Sequence, residues 1–509
     1  MTQEKIELPW HEGNLFLPVS DVMLADVVTE ARHLGARFAD ILQKISADQD
    51  RAALEKKQLR CEQEAWNAQR TGPLPGLESV APAQVVAGAL QQGRPRMDAE
   101  ATLVFFTISH YFGSIYSGTA VERLLDSLSV YQFLGEKGIK MPGPRTIGDN
   151  VNAISLDTRR YILQCQAQLA LAEELDDFLE VCGDSTSSQA NTRWPTDSGL
   201  IHRLLDRVFR DSQDLGRFGL PNFHVHWMNQ WLPKLKSLDF AISVAKNERA
   251  RKKLYRRYLK IVSSAVWHLG EEAIRLHDTV QSIELPPILK QRLDRHWGRI
   301  LEDLHDVCRI YRQCEGRVFD GKRVKGSDRI LSLSDRTAAY ILKGDRSPVV
   351  GYKPQLSRSR NGLITALLVP EGNAADSAML VPLVSEAIDI TGVIPELGSF
   401  DDGYSSKKGL EKLQDLGLQD VSFSGSKGKA LLGDEKWNSD VLKEARRNRS
   451  AVESLMFCLK HCHEFGELRR RGIGAVREEL TGKAIVYNFC RITMLRRRKR
   501  EPELHARAA

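Results

Sequence analysis

The sequence lacks an apolar run long enough to cross a membrane, and it lacks paired cysteine motifs. No stretch reaches the roughly 20 apolar residues that a membrane helix needs, and the opening Met1-Thr-Gln-Glu-Lys has no hydrophobic signal region. The eight cysteines are scattered and form no CxxC motif, which favours reduced thiols over a disulfide framework. We therefore expect a cytoplasmic protein.

The chain also lacks a large excess of charge, because its formal net charge is only +7 over 509 residues. The positive charge is nevertheless concentrated. Residues 246–260 hold eight Lys or Arg against one Glu, and residues 495–500 hold five more. Neither cluster has a strong apolar flank, so a nucleic acid is favoured over a membrane as the polyanion that they would bind. The alternative interpretation is that each cluster is simply the solvent-exposed face of a helix and binds no polyanion.

A chain of 509 residues is too long to fold around a single hydrophobic core, so several domains are expected. The first segment is mainly helical and ends near the Pro/Gly-rich stretch 71–76; the second is helical, with a turn and basic helix start at 140–149 that suit a DNA reader. A later helical segment contains Trp227, Trp231, Trp267 and Trp297 as expected packing anchors. The predicted domains are a helical region 1–95, a helical DNA-binding domain 96–175, a catalytic α/β domain 176–197 plus 323–495, a helical insertion 198–322 and a basic tail 496–509.

Strand-like patterns before and after the helical insertion predict the α/β domain. Residues 178–184 form an apolar run that stops at an acid, and residues 395–404 form a second strand that ends in acids. In open α/β sheets, sites are built at such strand ends. Further strands are predicted at 329–335, 349–357, 362–369 and 420–425, and helices at 375–388, 407–416 and 440–464.

The last of these predicted helices, 440–464, has two lines of side chains with different character. Val452, Leu455, Met456 and Leu459 recur at helical spacing and form an apolar face, while Arg449, Glu453 and Lys460 lie along a line beside it. Such a helix could be salt-bridged, or Glu453 could be a metal ligand with phosphate-binding neighbours.

Two strand-end acids, Asp184 and Asp401, provide possible partners for Glu453. Carboxylate ligands suit Mg²⁺ or Mn²⁺, and two such ions about 4 Å apart would promote attack on a phosphodiester. Because gathered like charges are costly without a cation, the trio is most easily explained as a metal site. The alternative is that each acid only caps a turn.

Several motifs in these regions carry a family resemblance. They are Asp184-Ser-Thr, Trp194-Pro-Thr-Asp-Ser198, Gly372-Asn-Ala-Ala-Asp376, Asp401-Asp-Gly-Tyr404 and Arg449-x₃-Glu453-x₆-Lys460. Together they resemble the DDE transposases of bacterial insertion sequences, most closely the group labelled ISNCY, over residues 176–495. The last motif corresponds to the R-(3)-E-(6)-K part of the family signature.

The resemblance implies a ribonuclease H-like fold, two Mg²⁺ or Mn²⁺ ions, cleavage at transposon ends and strand transfer into target DNA. Asp184, Asp401 and Glu453 would be the catalytic, metal-binding triad, and Arg449 and Lys460 would hold DNA phosphates. The partners would be double-stranded DNA, as terminal inverted repeats and target, and a second copy of the chain. A nucleoid-associated location follows from this partner. Lys427 and Lys429, on an expected loop, and Arg446 complete the predicted DNA-binding set.

Some positions leave alternatives open. Arg446 stands where the signature has a tyrosine, and Asp402 could replace Asp401 within the acidic doublet. Asp335, at another predicted strand end, competes with Asp184 as the first acid. Trp437 could stack on a frayed base or pack internally. The Cys458–His463 stretch suggests zinc but lacks a second ligand cluster. A nuclease of the same fold and a catalytically silent DNA-binding protein are the functional alternatives.

Overall fold

The computed structural model describes most of the chain and divides it into two compact units. The described residues are 19–71, 96–113, 128–218, 220, 225–342 and 347–508. The first unit takes residues 1–52, 95–191 and 337–509, and the second takes residues 53–94 and 192–336. Two sequence features fall largely outside the described residues: the predicted linker 71–76 and the helical pattern 120–128.

The strands of the described residues belong to the first unit and form two sheets. The larger sheet has the order β6-β5-β1-β7-β8, in which β1, β7 and β8 are parallel and β5 is antiparallel to both its neighbours. The smaller, antiparallel sheet has the order β2-β4-β3. The strands are β1 (Glu180–Ser185), β2 (Ser188–Gln189), β3 (Ala339–Ile341), β4 (Val349–Tyr352), β5 (Gln355–Ser359), β6 (Ile364–Leu368), β7 (Leu397–Phe400) and β8 (Asp420–Phe423).

Helices make up the rest of both units. In the first unit they surround the larger sheet and form a separate helical layer built mainly from the N-terminal segments and the last helix. They are α1 (Val19–Arg37), α2 (Ala39–Thr71), α3 (Ala99–Tyr111), α4 (Leu128–Lys137), α5 (Pro144–Ala153), α6 (Leu156–Ala172), α7 (Asp197–Leu215), α8 (Val225–Ser243), α9 (Glu248–Ser282), α10 (Pro287–Phe319), α11 (Asp376–Thr391), α12 (Lys407–Asp415), α13 (Ser426–Leu432), α14 (Asp434–Trp437), α15 (Asp440–Cys462) and α16 (Ile473–Ala508).

The alternation of side chains along β7 separates the two faces of the larger sheet. Phe400 packs in a core with Leu383 and Val384 of α11, whereas the preceding Ser399 donates a hydrogen bond to the carbonyl oxygen of Ala445 in α15, at 3.1 Å. Because successive side chains point to opposite faces of a strand, α11 and α15 cover opposite faces. Strands buried on both faces are expected to be uniformly apolar or small, as β7 and β8 are.

A glycine brings the two central strands into close packing. A Cβ atom added at Gly183 would lie 2.8 Å from the Phe400 ring and 2.9 Å from Leu383. Both distances are too short for real carbon contacts, so a side chain at this position would push β1 away from the α11 core. Gly183 therefore faces α11, and its neighbour Asp184 faces the side of α15.

The second unit is a packed set of long helices. Helices α7, α8, α9 and α10 contact one another in pairs around a core that includes Leu204, Tyr258 and Trp297. Helices α7 to α10 agree with the predicted helical character of this segment, as far as the structure describes it. The expectation that all four tryptophans are packing anchors is wrong in part, because Trp227 and Trp267 are exposed. The periodicity marks one face of each helix as apolar but does not assign every large side chain to it.

The predicted α/β arrangement is confirmed as a mixed α/β architecture, with two local corrections. Residues 329–335 are irregular, with a bend at 333–334, rather than a strand, so Asp335 does not end a strand. The predicted strand 349–357 is two strands, β4 and β5, which belong to different sheets. Pro354 lies between them, and a proline has no backbone N–H with which to continue a ladder.

No helix in the part of the chain that the structure describes is long and apolar enough to cross a membrane.

Candidate active site

The carboxyl ends of β1 and β7 bring two of the predicted acids to one sheet edge. Gly183 pairs with Phe400 in the parallel register of these strands. Asp184 and Asp401, one residue further along each strand, are therefore neighbours at the same edge. Since Gly183 and Phe400 both face α11, the alternation of side chains directs both acids toward the other face, which α15 covers.

Helix α15 supplies the third acid, Glu453, and a cation, Arg449, which lies on the face that packs on the sheet. Its buried residues include Leu442, Ala445 and Val452, and Arg449 falls on the same line, four residues after Ala445. Residues three, four and seven apart lie on one side of a helix. Arg449 thus occupies a core-facing position, at the point where the sheet beneath the helix ends in acids rather than apolar side chains.

The guanidinium of Arg449 lies among all three predicted acids. Its Nη1 atom is 3.8 Å from Asp184 Oδ2 and 3.9 Å from Asp401 Oδ1, and its Nη2 atom is 3.5 Å from Glu453 Oε1. Only 15% of the arginine side chain is exposed, and its Nε atom is buried without a hydrogen-bond partner. These distances exceed the 2.7–2.9 Å of tight charge-assisted hydrogen bonds, so one cation is loosely shared by three carboxylates.

This arrangement leaves an excess of negative charge. When the acids are ionised, three carboxylates and one guanidinium carry a net charge of −2 as a group. Glu453 is the most accessible acid, with 68% of its side chain exposed, and Asp401 is also partly exposed. The donor set therefore fits a hard divalent cation, since three carboxylates offer the oxygen ligands that Mg²⁺ and Mn²⁺ prefer.

A buried polar network supports the sheet edge beside Asp184. The Tyr404 hydroxyl donates a hydrogen bond to Gln355 Oε1, and Gln355 Nε2 donates one to Asp376 Oδ1 at 3.0 Å. Asp376 also forms a 2.8 Å ion pair with Lys353. Burial, reinforced by the charges of Asp376 and Asp184, raises the pKa of Tyr404 and keeps its phenol protonated.

The two aspartates of the acidic doublet have different environments. Asp401 accepts a 2.9 Å hydrogen bond from the Ser424 hydroxyl and lies close to Arg449. Asp402 instead accepts from the backbone N–H of Gly428 at 2.8 Å and from the side chain of Ser405. Asp402 thus caps the amino-terminal end of α13, a role that an aspartate fulfils well at a helix start.

The other predicted DNA-binding residues lie outside the cluster of acids. Lys427 and Lys429 belong to α13 rather than a loop, and Lys429 pairs with Asp434 at 2.8 Å. The Arg446 guanidinium lies 4.0 Å from the ring centre of Trp437 and donates a 2.7 Å hydrogen bond to that residue's carbonyl oxygen. Lys460 lies two turns beyond Glu453 on α15.

Asp335, the alternative candidate for the first acid, has a different environment from Asp184. Asp335 belongs to the second compact unit, is only 1% exposed, and its backbone N–H donates to the Ser332 hydroxyl at 3.1 Å. Within the first unit, the geometry groups Asp184 with Arg449. The zinc alternative gains no support either, because His463 is buried between the rings of Tyr111 and Tyr487.

One other set of side chains has distances suited to a metal. Among the described residues, Asp211, Asp214 and His296 form the one group whose ligand atoms all lie within 4.8 Å of one another. Arg299 already donates to Asp211 Oδ1 at 2.9 Å, so this group includes a cation of the protein. The acids around Arg449 do not meet that separation, because the guanidinium stands among them.

Sequence reasoning assigned no role to the supporting network. Tyr404 and Asp376 occur in motifs that carry the family resemblance, and those motifs could have indicated a role for them. Lys353 and Gln355 belong to no such motif. The central position of Arg449 was also missed, because helix spacing relates it to Glu453 and not to residues on the strands.

Comparison with known protein families finds a match in the C-terminal part of the chain. Residues 342–489 match the family described as Transposase DDE domain. The match includes Asp401, Arg449, Glu453 and Lys460, and it begins after β1, the strand that carries Asp184. No curated protein and no solved structure shows significant similarity to the chain. The matched segment supports the interpretation of this chain as a DDE transposase.

Proposed function

We propose that the chain is a transposase that cleaves DNA at the ends of an insertion sequence and joins them to target DNA. The observation that carries this proposal is the grouping of Asp184, Asp401 and Glu453 around Arg449. These acids come from two adjacent parallel strands and from a helix that crosses them. The family match across the segment that contains two of the acids supports it independently.

The proposed fold of the catalytic part is ribonuclease H-like, of the kind that the resemblance implies. Its support is the mixed sheet, in which β7 and β8 lie on one side of β1 and run parallel to it, while the antiparallel pair β5 and β6 lies on the other side. Helices α11 and α15 cover its opposite faces. The first acid lies near the carboxyl end of the central strand β1, and the second directly follows its parallel neighbour β7. We propose that residues 176–197 plus 323–495 form the catalytic domain and that residues 198–322 are its insertion.

In the proposed site, Asp184, Asp401 and Glu453 hold two Mg²⁺ or Mn²⁺ ions. These ions would supply charge stabilisation and activation of an oxygen nucleophile during phosphoryl transfer. The chain's cations would position the DNA: Arg449 and Lys460 bind phosphates beside the scissile bond, and Lys427, Lys429 and Arg446 extend the contact.

The proposed reaction consists of two in-line displacements at phosphorus. In the first, the oxygen of water bonds to the phosphorus, the P–O3′ bond breaks, and a free 3′-hydroxyl remains at the transposon end. In the second, that 3′-hydroxyl attacks a target phosphodiester and displaces a target 3′-oxygen. Two ends must be joined to one target, so we propose that a homodimer performs the reaction on double-stranded DNA.

The decisive experiment is an in vitro assay with Mg²⁺ on DNA that carries the inverted repeats flanking the gene. We expect nicks at the repeat ends, and joining when a pre-cleaved end and a target plasmid are supplied. Glu453→Gln should abolish both products and leave binding of the same DNA intact. Nicking without joining would indicate a nuclease of the same fold, and binding without nicking would indicate a silent DNA-binding protein.

A further inference from the structure

Three exposed cations of α9 form no ion pair with any residue that the structure describes. Lys253, Arg257 and Lys260 are exposed and occur at spacings of four and three residues, which places them on one line of the helix. Within the described residues, none of the three forms an ion pair. We refer to these three residues as the basic stripe.

Neighbouring charges on the same helix do not neutralise the stripe. No Asp or Glu occurs between Glu248 and Glu271. The side chain of Glu248 pairs with Lys252 at 2.8 Å, and Arg256 lies over the Phe319 ring at 5.5 Å. The basic stripe is therefore the part of this cluster that remains available to a polyanion.

An exposed tryptophan continues the same line. Trp267 follows Lys260 by seven residues, or two helical turns, and is 61% exposed. Its ring contacts the His268 ring edge-on, with centroids 4.7 Å apart. His268 is in turn stacked on Trp227 and Trp231, at 5.9 and 5.8 Å. We refer to Trp227, Trp231, Trp267 and His268 as the aromatic cluster.

Contacts within the aromatic cluster hold the Trp267 ring in one orientation, but they leave a large apolar surface exposed to solvent. Trp227 is also 42% exposed, so two large rings that could have been buried remain in contact with solvent. Exposed apolar groups beside polar ones are typical of binding surfaces. A ring held by its neighbours loses little conformational freedom when a partner stacks on it.

The spacing of the stripe matches a nucleic-acid backbone. Lys253 and Lys260 are separated by seven residues, about 10 Å along the helix axis. Three cations along a line of this length can contact successive phosphates of one strand, as the positively charged grooves of single-strand-binding proteins do. An indole beside phosphate-binding cations is the combination by which proteins bind strands with exposed bases, because an unpaired base can stack on an aromatic ring.

We propose that the basic stripe and the aromatic cluster form a second nucleic-acid surface, which binds a DNA strand with unpaired bases. The cations bind its phosphates, and Trp267 stacks on a base. This inference rests on the proposed function only for DNA as the substrate. The surface belongs to the second unit and shares no residue with the acids around Arg449.

The test measures binding of a fluorescent 20-nucleotide single strand, and of its duplex, to the full chain at several salt concentrations. We expect K253Q/R257Q/K260Q to weaken single-strand binding at least tenfold and to reduce the slope of log affinity against log salt by about 2, from about 0.7 per phosphate. The charge-matched control is K322Q/R323Q/K325Q, which removes three exposed cations elsewhere in the same unit.

The aromatic part is tested separately with Trp267→Ala. We expect this change to weaken single-strand binding about fivefold or more, to affect duplex binding less, and to leave the salt slope unchanged. Trp194→Ala, which removes another exposed tryptophan of the same unit, should have no effect. Thermal unfolding midpoints of all variants should match that of the parent, because every altered side chain is exposed.

Equal losses from the stripe variant and its charge-matched control would overturn the proposal, since net charge would then explain them. So would a Trp267→Ala protein that binds DNA normally but changes its oligomeric state, which would assign the cluster to a protein contact. The proposed function fails separately: if the wild-type chain binds single strands through the stripe but shows no metal-dependent cleavage, only the transposase proposal is wrong.

Discussion

Arg449 Nη1 lies 3.8 Å from Asp184 Oδ2, so a cation of α15 is the direct neighbour of an acid at the end of β1. The same guanidinium reaches Asp401 and Glu453. Like charges gathered at one sheet edge repel one another. Arg449 relieves part of that repulsion, and in doing so it competes with any other cation for the three carboxylates.

The first prediction follows from this competition. Arg449→Gln should increase the affinity of the DNA-free protein for Mn²⁺ by about tenfold or more, because the variant removes a positive charge from the centre of the site. Binding is measured by the loss of the electron paramagnetic resonance signal of free Mn²⁺. Arg447→Gln, which changes an exposed arginine on the same helix, is the control and should leave the affinity unchanged. Weaker Mn²⁺ binding by Arg449→Gln would mean that the arginine supports the metal site.

The second prediction distinguishes the two candidates for the first acid. Asp184→Asn should abolish metal-dependent DNA cleavage and change the thermal midpoint little, since Asp184 lies in an accessible cluster with excess negative charge. Asp335→Asn should retain cleavage and lower the midpoint, because Asp335 is almost fully buried and buried polar groups depend on their hydrogen bonds. The assay pairs end cleavage with differential scanning fluorimetry. Loss of cleavage in a stably folded Asp335→Asn protein would reverse the assignment.

The third prediction concerns the acidic doublet. Asp402→Ala removes the acceptor for the Gly428 N–H at the start of α13 and should lower the free energy of unfolding by about 1 kcal/mol, as loss of a helix cap does. It should leave Mn²⁺ affinity nearly unchanged. Asp401→Ala should do the opposite, with weaker Mn²⁺ binding and little loss of stability. Urea unfolding and Mn²⁺ titration of both variants provide the comparison, and equal effects on Mn²⁺ affinity would show that the two acids share the role.

The sequence predicts much of the site because the relevant signals are local. The apolar run before Asp184 predicts β1, the run before Asp401 predicts β7, and helical spacing relates Arg449 to Glu453. Parallel strands then place the two aspartates at one edge. What the sequence alone did not predict is the shared position of Arg449, because the 3.8 Å contact with Asp184 depends on how α15 packs across the sheet.

The errors have the same origin. Residues 329–335 alternate apolar and polar side chains as a strand does, but a strand also needs a partner with which to pair, and local pattern does not supply one. Lys353 and Gln355 were assigned no role because the network that joins them to Asp376 and Tyr404 depends on long-range register. Trp267 is exposed rather than a packing anchor, because the buried face of α9 includes Tyr258, Val262 and Leu269, and residue 267 lies outside it.

The fourth prediction concerns the pH dependence of stability and rests on His463, at the end of α15. His463 is 4% exposed, its Nδ1 atom has no hydrogen-bond partner, and the rings of Tyr111 and Tyr487 pack edge-on against it at 6.5 and 6.1 Å. Burial, with the nearby charge of Lys483, lowers the pKa of His463 to about 4. The folded protein thus holds a neutral imidazole that the unfolded chain protonates near pH 6.5.

The sign of the effect follows from the lowered pKa. Above pH 6.5 the imidazole is neutral in both states, so the stability is complete there. As the pH falls from 6.5 toward 4, the unfolded chain binds a proton that the folded protein does not, and the free energy of unfolding decreases by up to roughly 3 kcal/mol. His463→Phe keeps an aromatic ring between the two tyrosines but removes the titration. Urea unfolding between pH 7 and pH 4.5 should therefore show a smaller acid-induced loss in His463→Phe than in the parent. His461→Phe, at an exposed histidine, should keep the parent's dependence, whereas parallel curves for the parent and His463→Phe would mean that the His463 imidazole is protonated in the folded protein.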